Sequence, residues 1–156
     1  MLLTGVKKGV VFPFDFSDLS IEGLRRTIDM VEDPLLVQVV FVSDYPSGND
    51  YEGIWGTNEP DSIIRNHLAA FKKTLKEASG FPDLELNVLF GSPSAQIARF
   101  ASKNDAILIV MPSHGRSGFS RFVLGSVAER VLRLAECPVL ILKDLVQSEE
   151  PTTSGH

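Results

Sequence analysis

Disulfides, membrane spans and a basic surface are what this chain lacks. Its 156 residues include one cysteine, Cys137. No internal disulfide can form, and the chain suits a reducing, cytoplasmic setting. No apolar run approaches the roughly 18–20 residues that a membrane helix requires. The opening MLLTGVKKGVVFPF has too short an apolar run before Lys7 and Lys8 to act as a signal peptide. Fifteen lysines and arginines against 20 acids give a net charge of −5. Nucleic acid and anionic membrane both call for a basic face, so neither is expected as a partner. A local basic site for one phosphate ester is still compatible with that balance. Hydrophobic content of 44% with 22% charged residues fits a soluble globular protein, long enough to bury a core as one domain.

Apolar runs alternate with amphipathic stretches. Residues 10–14 (VVFPF) read as a buried strand. Ser17 or Asp18 can cap a helix whose face carries Ile21, Leu24, Ile28 and Val31, ended by Asp33-Pro34. Residues 35–42 (LLVQVVFV) lack alternation, as a strand covered on both faces does. Residues 44–59 form a long loop with Tyr45, Tyr51 and Trp55, either a lid or a surface contact. Ile64, Leu68, Phe71, Leu75 and Ala78 mark a second helix, closed by Gly80 and Pro82. Residues 84–90 alternate more, which places that strand nearer an edge. Ser92-Pro93 starts a third helix that runs to about Lys103. Residues 106–111 (AILIVM) are a fourth strand, and Leu124, Val127, Val131 and Leu134 a fourth helical face. Val139–Leu142 is a fifth strand. The pattern predicts one α/β domain over residues 1–145, a doubly wound parallel sheet of five strands, followed by a disordered tail, 146–156.

Ligands of such sheets bind where strand order reverses, outside the carboxyl ends. If the order is 3-2-1-4-5, the reversal brings Pro13, Phe14 and Asp15 beside Met111–Gly115. The stretch IVMPSHGRSGFSRFVLGS, residues 109–126, then carries the chemistry. It runs from strand through glycine-bearing loop to helix, and exposes backbone N–H donors to an anion. It contains no Walker lysine and no Gly-x-Gly-x-x-Gly. Gly125-Ser126 would present amides and a hydroxyl to a phosphate, and Arg116 and Arg121 could add charge. The plain alternative is that Gly115 and Gly118 permit a turn while Ser126 caps a helix.

Three blocks, VVFPFDFSD, GSPSAQIARFA and MPSHGRSGFSRFVLGSVAERVLRLAECPVLILK, together resemble the universal stress protein family. The resemblance implies strand order 3-2-1-4-5 in a Rossmann-like fold of the adenine nucleotide alpha hydrolase type. It also implies homodimers joined through the last strand, Val139–Leu142. The family's ATP-binding branch carries Gly-x2-Gly-x9-Gly-Ser/Thr. Gly115, Gly125 and Ser126 match it, and Pro112 stands where the first glycine would be, without an N–H. Ser113, His114 and Gly115 are expected to keep theirs available. Carried over, Asp15 would accept a hydrogen bond from the adenine amino group, with Val42 and Met111 packed against the base. His114, Gly115, Gly125, Ser126 and Val127 would surround ribose and phosphates. The alternative for Asp15 is a carboxylate satisfied by a helix start.

No metal-ligand spacing is present, so any Mg²⁺ or Mn²⁺ would arrive with the phosphates. His114 invites a catalytic role, but no carboxylate nearby in sequence orients it. The implied function is a stress-response protein that binds ATP or a related adenine nucleotide and acts as a regulatory homodimer, at most a weak ATPase. One alternative is a nucleotide-independent interaction protein with a vestigial site. Another is a slow ATPase that uses His114. Cys137, before a proline, reads as an inert thiol.

Overall fold

The computed structural model describes residues 9–43, 60–115 and 123–143. Five strands, β1 (Val10–Pro13), β2 (Val37–Ser43), β3 (Leu86–Phe90), β4 (Leu108–Pro112) and β5 (Val139–Leu142), form one sheet. Four helices, α1 (Asp18–Met30), α2 (Pro60–Ala78), α3 (Pro93–Lys103) and α4 (Ser126–Leu134), alternate with them. The order is β3-β2-β1-β4-β5 and every pairing is parallel. Chain direction therefore reverses its progress across the sheet between β1 and β4, and the strand β3 that alternates most lies at an edge.

Each face of the sheet is sealed by its own helices. Val10, Phe12, Val37, Val39 and Val110 are buried with Leu24 of α1 and Phe71 and Leu75 of α2. Val11, Val40, Ile109 and Met111 are buried on the other face with Ile97 and Ala101 of α3 and Ala128 and Val131 of α4. Neighbouring residues of β1 thus enter opposite cores, which is why its run is apolar without a break. Among the described residues no helix is long and apolar enough to cross a membrane.

Several boundaries move from those expected. Leu35 is not in a strand. Asp33 accepts from the Leu35 N–H and starts a 3₁₀ turn over Pro34–Leu36, leaving Leu35 76% exposed. Strand β3 begins two residues later than expected and β4 shifts forward to Leu108–Pro112. On α1 the helix ends at Met30, ahead of Asp33-Pro34, although Val31 is still buried.

The inward face of α4 also differs. Ala128 and Val131 are its buried residues, whereas Leu134 is 51% exposed and Val127 lies at the surface. The closest approach to the sheet and α3 falls on a small residue, which the search for large apolar side chains passes over.

Candidate functional site

Beyond the carboxyl ends of β1, β2 and β4 lies a cavity of about 690 Å³. Pro13, Phe14 and Asp15 line it from the end of β1, and Val42 from β2. Met111, Pro112, His114 and Gly115 line it from β4 and the loop after it, and Gly125, Ser126 and Val127 from the start of α4. Pro93 and Ile97 of α3 supply a further apolar wall. Of the expected site residues, Ser113 is the one described residue that does not line the cavity. Arg116 lies outside the described residues, as do Gly118, Arg121, the 44–59 loop with its aromatics, and the 146–156 tail.

Asp15 is held from behind. Phe16 takes a left-handed conformation at φ 64°, a strained state for a bulky residue that accumulates at functional sites. That turn folds the Asp15 carboxylate over the start of α1. Its Oδ1 accepts from the Ser17 N–H at 3.0 Å, the Ser17 hydroxyl at 2.5 Å and the Ser20 hydroxyl at 2.6 Å. Ser17 in turn caps α1 by accepting from the Ser20 N–H. The Phe16 ring is bedded edge-on between Phe14 and Phe41, at centroid distances of 5.1 and 5.3 Å. Phe41 stacks on His67, whose Nδ1–H donates to the Ile63 carbonyl at 2.8 Å.

The second oxygen, Oδ2, faces the β4 loop. A Cβ added at Gly115 would stand 2.9 Å from it. Glycine is required there by proximity, since any side chain would collide with the carboxylate.

The β4 loop and α4 are joined backbone to backbone. The Gly125 N–H donates to the Ser113 carbonyl at 2.7 Å, and the Ser113 N–H donates to the Leu142 carbonyl at 3.1 Å. Both amides, expected to face a phosphate, are therefore committed within the protein. Gly125 is the N-cap of α4 and offers no side chain to cap it. The amides of Ser126, Val127 and Ala128 have no acceptor in a preceding helical turn, so the positive end of α4 opens toward the cavity. His114 Nδ1 lies 3.0 Å from the Ser113 hydroxyl.

Two lining residues escape the sequence reading. Ser20 is 2% exposed and belongs to the Asp15 cluster. Its signal is the spacing in DFSDLS, which brings residues 15, 17 and 20 together at a helix start. Glu129 lines the cavity one turn into α4, with its carboxylate 2.7 Å from Arg133. Among the described residues no group of three or more His, Cys, Asp or Glu side chains could hold a metal ion. Cys137 lies apart from the cavity. Burial pushes its thiol up, the backbone N–H groups of Cys137 and Ile109 oppose that, and the Glu136 carboxylate raises it further.

The sequence matches the universal stress protein family over residues 8–143. The chain belongs to that family. Universal stress protein MJ0531 of Methanocaldococcus jannaschii is 36% identical over 141 residues, which span 87% of this chain and 82% of the relative. The solved structure of MJ0577 from the same organism superposes with a TM-score of 0.61 at 23% identity, over 88% of this chain and 96% of that one. A universal stress protein from Archaeoglobus fulgidus, solved in complex with dAMP, gives 0.56 at 27% identity, over 88% and 99%.

Proposed function

We propose that this universal stress protein binds an adenine nucleotide, ATP or a close relative, in the crevice between β1 and β4. It acts there as a nucleotide-dependent regulatory homodimer of the cytoplasm rather than as a dedicated enzyme. The observation that carries the reading is the meeting of two features in one cavity. The Asp15 carboxylate turns an oxygen toward one part of it, and the uncapped start of α4 opens on another. Adenine would donate its amino group to Asp15, with Val42 and Met111 as dry walls for the purine. Phosphate would lie at the amides of Ser126 and Val127 and the Ser126 hydroxyl, with His114 and Gly115 beside the ribose. The Archaeoglobus fulgidus relative with bound dAMP supports an adenine ligand. Any Mg²⁺ or Mn²⁺ would arrive on the phosphates. In the dimer, β5, an edge strand, would pair with its copy through Val139–Leu142.

The commitment of the Ser113 and Gly125 amides, added to Pro112, favours one competing reading: an interaction protein whose crevice is vestigial. Equilibrium binding of labelled ATP and AMP to purified protein, with Mg²⁺, separates the two. Saturable binding at or below millimolar nucleotide is expected. Its absence removes the nucleotide reading and leaves the vestigial one. Turnover of ATP that His114→Ala lowers far more than affinity would instead make the protein a slow ATPase.

A further inference from the structure

Asp15 carries an asymmetry that goes beyond holding a base. Its Oδ1 receives three donors, two from Ser17 and one from Ser20, while the Asp15 N–H donates to the Ser20 hydroxyl at 3.1 Å. Ser20 is thus both donor and acceptor to the same residue, and it is almost fully buried. A carboxylate offers about four acceptor positions over its two oxygens. Three donors on Oδ1 leave no room there for a ligand, so the crevice meets a single acceptor, Oδ2.

We infer that Ser17 and Ser20 make Asp15 a one-oxygen reader, and that this clamp selects 6-aminopurine over guanine nucleotides. The inference rests on the nucleotide reading above and concerns which purine the site accepts. Adenine presents an amino donor at position 6, which one oxygen satisfies. Guanine presents a carbonyl at that position, and its adjacent ring N–H and amino group are matched by both oxygens of a carboxylate at once. With Oδ1 occupied and the group unable to turn, the two-oxygen mode is closed. The carbonyl of guanine would then face Oδ2, acceptor against acceptor. Ser20 is a positioning residue in this scheme. It acts through Asp15 and has no need to touch the base.

The test compares AMP and GMP binding by calorimetry on the full chain, on Ser20→Ala, on Ser20→Thr and on the double variant S17A/S20A. The parent should prefer AMP by about tenfold or more, the range of one well-placed hydrogen bond against a mismatch. Ser20→Ala should shrink that ratio several-fold, the double variant should shrink it further, and Ser20→Thr, which keeps the hydroxyl, should restore it. A clamp that only stabilised the fold would weaken both ligands equally, and an unchanged AMP-to-GMP ratio in Ser20→Ala overturns the inference. A parent that binds AMP and GMP alike also overturns it while leaving nucleotide binding intact. A parent that binds neither removes the nucleotide reading itself. Circular dichroism of each variant identifies loss of folding, and Ser20→Thr keeps the comparison open should Ser20→Ala fail to fold.

Discussion

Gly125→Ala is the sharpest probe of how the β4 loop and α4 are joined. Gly125 has φ −61° and ψ 153°, an extended conformation that alanine adopts without strain. On backbone grounds alone the substitution would stabilise the protein by about 0.4–1 kcal/mol, by restricting the unfolded chain. The added Cβ, however, would stand 3.0 Å from His114 Cα and 3.2 Å from the Ser113 carbonyl oxygen. Both are backbone atoms, and the Ser113 carbonyl is the one that accepts the Gly125 N–H. No rotamer relieves the contact, so the loop must shift. Such overpacking costs roughly 1–3 kcal/mol. The clash outweighs the entropy gain, and a net loss of about 1–2 kcal/mol follows. For a chain of this size that lowers Tm by roughly 2–8 °C. Thermal unfolding followed by far-UV circular dichroism measures it. A Tm equal to or above the parent's would mean that residues 113 and 114 yield freely, and the described junction would lose its meaning.

Phe71→Ala should be severe, because the ring is fully buried and meets Phe14 edge-on at a centroid distance of 5.1 Å. A loss of about 3–5 kcal/mol is expected by urea denaturation, and a loss under 1 kcal/mol would place the ring outside the core. Cys137 should be alkylated by iodoacetamide more slowly than in the unfolded chain at mildly alkaline pH, since the folded state disfavours the thiolate. The sign follows from linkage: stability from this group is complete below the unfolded thiol's pKa and is lost as pH rises through the folded one. Faster labelling of folded protein would reverse the assignment. Leu140, on the edge strand and 38% exposed, provides the dimer test. Leu140→Lys should shift sedimentation from dimer to monomer with little change in Tm, and a parent that sediments as monomer at micromolar concentration would end the dimer proposal.

The architecture is legible in residue patterns wherever burial sets them. Unbroken runs such as residues 37–42 have no polar face because helices cover both sides, and the more mixed β3 lies at an edge. The order of strands rests on family resemblance, since periodicity alone does not say which strands are neighbours. Leu35 misleads because an aspartate two residues before it starts a turn that apolar composition does not reveal. On α4 the small Ala128, rather than Leu134, faces inward, a choice that depends on how near the sheet lies. Asp15, Gly115 and Gly125 stand out in sequence. The destination of each amide does not, because it depends on where the β5 carbonyls lie, nearly thirty residues further along the chain. Ser20 is hidden for a related reason: a serine three residues into a helix reads as a solvent-facing position until Asp15 folds over it.

The cavity draws its wall from Pro13 near one end of the described chain and Glu129 near the other. During synthesis, an emerging polypeptide that already holds β1 to β3 would still lack the floor and far side of the crevice. A ligand that binds only the finished arrangement gives no help to partial chains and adds its stabilisation by mass action once the final helix is in place. Cellular nucleotide would then reward completed molecules alone, so its concentration could set how many survive proteolysis without altering how fast they assemble.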